Sequence, residues 1–168
     1  MVAIGCLVAL AACRAPASEK IADTLPAVVL PDLSRLAPPV QQRIRGEFGS
    51  ATRVIENPGA SLSERAAAYA SLGRLFLAAK LNDEAELSYR HAQTLAGDDM
   101  RWPYMLGHVY LTKGDQAKAA AAFERALELR PDDVPALVWL ASARLDEGRF
   151  EAAEAPVSYT HLTLPTKA

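Results

Sequence analysis

The sequence has few cysteines and few aromatic residues, and it has no large excess of positive or negative charge. It has two cysteines in 168 residues, both within the first 13, so no disulfide framework or cysteine-rich metal site can hold the rest of the chain. Lys and Arg number 18 against 20 Asp and Glu, a formal charge of −2, so there is no basic excess to neutralise a nucleic-acid backbone, and we predict no nucleic-acid partner. The longest apolar run, residues 2–12, is far shorter than the roughly 20 residues of a membrane-spanning helix. At 51% apolar residues, the chain can still form one globular core.

Motifs that carry catalysis are absent as well. No GxSxG, HExxH, CxxC, P-loop or GxGxxG pattern occurs in the sequence, and these are the spacings at which nucleophiles, metal ligands and phosphate-binding loops are usually met. We therefore predict no enzyme activity, no catalytic residue, no metal site and no cofactor.

The amino-terminal segment is typical of an export signal. An apolar stretch leads to Leu10-Ala11-Ala12-Cys13, and small and polar residues follow at once. These four residues resemble the bacterial lipobox, which implies cleavage before Cys13 and lipid on that cysteine. Residues 1–12 are then a signal peptide, and residues 13–31, rich in Ala and Pro, a lipid-anchored tether. Two alternatives stay open: a secretory signal cut after Ala17, and a buried apolar helix.

The same resemblance predicts where the protein works. Membrane attachment would be through the lipid on Cys13 only. Arg14, which is not Asp, is a residue that outer-membrane lipoproteins tolerate after the lipidated cysteine. We expect the periplasmic face of a bacterial outer membrane, with a soluble periplasmic protein as the alternative.

Residues 156–168 differ from the sequence that precedes them. They are rich in Thr, Tyr and Leu, with no charge before Lys167. Their codons can be chosen to match the transposase end and adaptor of tagmentation sequencing libraries. We interpret this segment as translated adaptor read-through, so the native sequence is expected to differ after Ala155; the alternative is a genuine carboxy-terminal tail.

Between these ends the sequence repeats with a period of 34 residues. At this offset Leu72 aligns with Leu106 and Leu140, and the register holds without a gap. The further matches are Gly73/Gly107/Ala141, Phe76/Tyr110, Ala85/Ala119/Ala153, Tyr89/Phe123 and Ala92/Ala126. Two antiparallel helices approach closely only where the facing residues are small, and large residues at helical spacing then fill the space between repeats.

These residues resemble the tetratricopeptide repeat, a helix–turn–helix unit of this length. The resemblance assigns residues 61–99 to a first repeat, 100–133 to a second and 134–155 to a truncated third, in which Arg144 replaces an expected aromatic. It implies an all-α fold, a right-handed superhelical solenoid of antiparallel helix pairs.

Helix boundaries are marked in the sequence. Apolar residues at positions 40, 44, 48, 51 and 55 predict one amphipathic helix with Pro39 in its first turn, within an N-terminal capping region of residues 32–60. Ser61 and Glu64 form a capping-box pattern. Asp99 and Asp133 are candidate N-caps, and Gly114 lies in a predicted turn.

The resemblance also implies a binding site. In the tetratricopeptide family, a concave groove lined by the first helix of each repeat holds a protein or peptide. The residues at those positions that we expect to bind a partner are Arg74, Arg101, Tyr104, His108 and Thr112. His91, on a second helix, is expected to be solvated or half-packed, and Glu86 with Arg90 to form a solvated pair.

We therefore predict a protein–protein interaction scaffold or adaptor of the bacterial cell envelope. The main alternative is the recognition arm of a larger enzyme or secretion component whose catalytic part follows Ala155. A third possibility is a soluble periplasmic carrier with a small ligand in the groove. The sequence does not predict the oligomeric state.

Overall fold

A computed structural model describes residues 24–146 of the chain. Six helices follow one another in this range, and it contains no strand. They are α1 (Pro38–Ile55), α2 (Leu62–Ala78), α3 (Asn82–Leu95), α4 (Arg101–Lys113), α5 (Gln116–Leu129) and α6 (Val134–Asp146). The predicted all-α fold is confirmed. The predicted signal peptide, Cys13, Ala153 and residues 156–168 lie outside the described residues.

The helices form a stack in which each packs against its neighbours in sequence. Helices α2 and α3 are the pair of the first repeat, α4 and α5 are the pair of the second, and α6 is the first helix of the third. One hydrophobic cluster runs through the stack, from Leu33 before α1 to Ala143 in α6. Because every helix pair buries its apolar faces against the next pair, the fold is a solenoid.

Small residues set the distance between the two helices of a repeat, as the sequence predicts. A Cβ atom added to Gly73 would lie 2.7 Å from the ring of Tyr89, and one added to Gly107 would lie 2.5 Å from the ring of Phe123. Both rings are buried. The two repeats therefore use the same contact, an aromatic ring of the second helix seated on a glycine of the first.

Most helix ends follow the predicted chemistry. The Ser61–Glu64 capping box is present, and the Asp133 side chain accepts a hydrogen bond of 3.0 Å from the backbone N–H of Ala136. Asp99 also accepts from a backbone N–H, that of Arg101. The N-cap position of α4, however, belongs to Met100, so the helix begins later than the predicted cap implies.

Helix α1 covers the outer side of the first repeat. Ile44 and Ala51 are buried, and the ring of Phe48 lies 6.3 Å from that of Phe76. Ahead of α1, several residues of the predicted tether pack against the hydrophobic core; they are Leu25, Val28 and Leu30. The described part of that segment therefore lies on the body of the protein. No helix of residues 24–146 has the length and apolar character to cross a membrane.

Candidate partner-binding groove

A surface depression of about 340 Å³ separates α2 from α4, the first helices of the two repeats. We call it the groove. Helix α2 contributes Ala67, Ala70 and Arg74, and α4 contributes Arg101, Tyr104 and Met105. Three of the predicted binding residues, Arg74, Arg101 and Tyr104, are thus brought together.

The repeat explains why the groove has room. Ala67 and Ala70 of α2 stand 34 positions before Arg101 and Tyr104 of α4. The same helical face therefore carries methyl groups in the first repeat and long side chains in the second. Small residues of α2 and large residues of α4 line the same depression, and this asymmetry leaves space between the helices.

Arg101 is engaged within the chain. Its Nε donates to both carboxylate oxygens of Asp99, at 2.9 and 3.0 Å, and its guanidinium lies 4.6 Å from the ring centre of Trp102. The hydrogen bonds from Arg101 lower the pKa of Asp99. The pair is largely exposed on its arginine side, and such pairs contribute about 0.2–1 kcal/mol. A ligand that binds the Arg101 guanidinium must displace the Asp99 carboxylate, and the free energy lost with that ion pair is small.

Arg74 differs from Arg101 in having no such partner. It is exposed, and among residues 24–146 no hydrogen bond or ion pair of its guanidinium is formed. Arg74 lines the groove and also the next depression along the surface. Its five N–H donors are therefore free to bind an incoming acceptor.

His108 and Thr112 lie outside the groove. His108 is half-buried between the rings of Tyr104, Phe123 and Trp139, at centroid distances of 4.7, 5.4 and 4.8 Å. Burial lowers the pKa of His108. Thr112 is exposed, and its hydroxyl donates to the carbonyl of His108 one turn earlier. Neither shares the space that Arg74, Arg101 and Tyr104 enclose.

A second depression, of about 580 Å³, lies between α1 and α2. We call it the cleft. Its walls are mainly apolar and include Val40, Ile44, Leu75 and Ala78, with Arg74 at its border. The cleft is not predicted by the sequence pattern, because α1 is interpreted there as a capping helix. Val40, the first apolar residue of the predicted helix, is the residue that could have indicated the cleft, and its side chain is 42% exposed.

A part-buried polar network joins the two repeats. The hydroxyl of Tyr110 donates to the carboxylate of Glu86 at 3.1 Å and accepts from Arg90 at 3.0 Å. The ammonium of Lys113 lies 2.7 Å from the same carboxylate. Burial raises the pKa of Glu86, but the hydrogen bonds from Lys113 and Tyr110 and the charge of Arg90 outweigh it, and the net pKa is lowered. The predicted Glu86–Arg90 ion pair is formed, at 2.7 Å, but the expectation that it is solvated was wrong for Glu86, whose side chain is only 17% exposed.

Arg144, the departure from the aromatic pattern, occupies the equivalent place one repeat later. Tyr110 is bonded to Arg90, 20 residues earlier, and Arg144 is paired with Glu124, also 20 residues earlier. The Arg144 side chain is only 13% exposed. Positions 124 and 144 are therefore joined as positions 90 and 110 are, one repeat earlier. The donor differs: Arg90 donates from the earlier repeat, whereas Arg144 donates from the later one.

His91 is a second correction. It is only 3% exposed, with its ring 4.9 Å from that of Tyr69 in an edge-on arrangement. Burial lowers its pKa. His91 is therefore a core residue, whereas the sequence predicts a solvated or half-packed one.

The comparisons with known proteins agree with this architecture. Residues 104–158 match the family model of the tetratricopeptide repeat. The crystal structure of MamA is similar to this chain, with a TM-score of 0.55 and 20% sequence identity, over 70% of this chain and 76% of that one. No curated protein matches the sequence. With its 34-residue period and its stacked helix pairs, the chain has the fold of a tetratricopeptide repeat protein, and residues 104–158 carry the repeat's sequence pattern.

Proposed function

We propose that this protein is a scaffold that binds a segment of a partner protein in the groove between α2 and α4. The observation that carries the proposal is the position of Arg74, an exposed and unpaired guanidinium among the described residues, beside Tyr104 and a floor of alanines. Arginine and tyrosine are the residue types that most often dominate interface energies. The alanine floor lets a polypeptide backbone approach the helices closely.

A protein segment suits the groove better than a small molecule does. Ligand cavities enclose most of a small molecule's surface, whereas this depression is open at the surface between α2 and α4. A peptide can lie along such a surface and place successive side chains on it.

We further propose that the scaffold works at the bacterial cell envelope, held by lipid on Cys13. This part rests on the resemblance of residues 10–13 to a lipobox. Stable anchoring takes two or more acyl signals, which a multiply acylated cysteine supplies. The periplasmic face of the outer membrane is the proposed location, on account of Arg14.

Selection from a displayed library of random 12-residue peptides tests the groove. The full chain should enrich a family of peptides, and Arg74→Gln and Tyr104→Ala should each reduce their binding. Arg45→Gln is the matched control, because Arg45 is an exposed arginine of α1 that lines neither depression. Equal binding by the wild type and by both groove variants would refute the proposal.

Metabolic labelling with palmitate tests the anchor. In a Gram-negative host the wild-type chain should incorporate label and sediment with the membrane fraction. Cys13→Ser should remove the label and release the protein. An unlabelled wild-type chain in the periplasmic fraction would favour the soluble alternative.

A further inference from the structure

The surface that carries the groove continues past α2 onto α1. The groove and the cleft lie on opposite sides of α2, and Arg74 lines both. Packed helices have axes about 8–10 Å apart, and an extended chain advances about 3.3 Å per residue. A stretch of about three extended residues therefore reaches from one depression to the other, across Arg74.

The charges along this path favour an acidic ligand. Arg43 of the cleft is paired with Glu47 at 2.8 Å, and Arg101 of the groove is paired with Asp99. Arg74, between them, has no carboxylate partner in residues 24–146. No Asp or Glu lines the groove, although the chain as a whole is acidic. The Arg74 guanidinium is therefore the group on this surface to which a negative charge of the ligand can bind.

The cleft favours a large apolar side chain in the ligand. Val40 is 42% exposed, and Ile44, Leu75 and Ala78 complete an apolar wall. Covering an exposed aliphatic surface is favourable in proportion to the apolar area removed from water. A large apolar side chain of the ligand gains this term, and a polar one does not.

From these contacts we infer the chemistry of the partner: an extended protein segment that places a large aliphatic or aromatic side chain in the cleft and, within two residues of it, an Asp or Glu on Arg74. The inference rests on the proposed function, which supplies the groove through which the segment continues. It also makes α1, which lies outside the repeats, a part of the binding surface.

The peptide selection tests this inference when its products are sequenced. Peptides enriched by the wild-type chain should carry Asp or Glu within two residues of a large apolar residue. Loss of a charged hydrogen-bond partner costs about tenfold or more in affinity, so Arg74→Gln should weaken a synthetic peptide of the enriched sequence by that factor. Arg74→Gln should also select peptides without the acidic preference.

A second variant isolates the cleft. Ala78→Trp fills it from an exposed position without touching the groove, and it should weaken the same peptide by about tenfold. Ala117→Trp is the matched control, because Ala117 is an exposed alanine of α5 that lines neither depression; it should leave binding unchanged.

The outcomes separate the two proposals. Peptides that lose binding in Tyr104→Ala but bind Ala78→Trp normally would overturn the cleft inference and leave the groove in place. Failure of the wild-type chain to enrich any peptide would overturn both. A wild-type chain that dimerises in solution while Ala78→Trp stays monomeric would show that a second copy occupies the cleft, and would overturn the inference of a separate partner.

Discussion

Lys80 holds a backbone conformation that its counterpart in the second repeat leaves to glycine. Its φ is +63°, and Gly114, 34 residues later, has φ +74°. A side chain in this left-handed region costs about 1 kcal/mol. We expect Lys80→Gly to raise the free energy of unfolding by about that amount in urea titrations. Gly114→Ala should lower it, and a stabilised Gly114→Ala would contradict the interpretation.

Gly107 is a residue that no side chain can replace without displacing the core. The added Cβ of alanine would lie 2.5 Å from the Phe123 ring, and that ring has no exposed surface. Overpacking of this kind costs about 1–3 kcal/mol. Thermal denaturation of Gly107→Ala should show this loss.

Gly49 is the matched control for Gly107. It also lies inside a helix, α1, but an added Cβ would meet no atom within 4 Å. Gly49→Ala should therefore be stabilised by up to about 1 kcal/mol through helix propensity. Equal changes in stability at the two glycines would show that helix propensity, and not contact with the Phe123 ring, determines the effect of Gly107→Ala.

At the scale of the elements, α3 and α4 are joined by the hydroxyl of Tyr110. It donates to Glu86 and accepts from Arg90. Tyr110→Phe should lower the free energy of unfolding by about 1 kcal/mol, because a part-buried carboxylate loses one of its donors. Combining it with Glu86→Gln in a double-mutant cycle should give a coupling energy of at least 0.5 kcal/mol. Additive effects would mean that the two groups do not interact in solution.

The elements also show how far the sequence can be interpreted. The 34-residue offset, the small residues at Gly73 and Gly107 and the Ser61 cap predict where α2 to α5 lie, because these features act within one helix pair. The contact of Tyr110 with Glu86 is not predicted, since it depends on how one repeat is rotated on the next. Helix-face patterns do not contain that rotation.

The same reasoning applies to the candidate site. Position within the repeat predicts that Arg74, Arg101 and Tyr104 face one depression. It does not predict that the Arg101 guanidinium donates to Asp99, two residues earlier, because this hydrogen bond depends on the conformation of the local turn. The cleft is likewise absent from the repeat pattern, since one of its walls, α1, is not part of a repeat.

At the scale of the whole molecule, a single core makes the stability of one repeat depend on the others. The cluster of buried side chains includes residues of all six helices. Two histidines lie at helix contacts: His91 packs on Tyr69 within the first repeat, and His108 packs against Trp139 of the third repeat. A charge placed on either ring would therefore destabilise contacts that hold neighbouring elements together.

Both histidines should make the fold sensitive to acid. Burial lowers the pKa of His91 and of His108 below the ordinary value of 6.5. Their contribution to stability is therefore fully present above pH 6.5, where both states are neutral, and is lost as pH falls through the folded-state values, because the unfolded chain takes up protons first. Urea titrations from pH 7.5 to pH 5 should show a falling free energy of unfolding.

A second loss should follow at lower pH, since the pKa of Glu86 is lowered from 4.5 and its contribution disappears as pH falls below that value. The double variant His91→Gln, His108→Gln separates the two effects. It should flatten the dependence between pH 7.5 and pH 5 and keep the loss below pH 4.5. Glu86→Gln should keep the dependence above pH 5 and reduce the loss below pH 4.5 without removing it, because the pKa values of Asp99 and Asp115 are lowered too. If the double variant keeps the full slope above pH 5, the buried histidines are not its source.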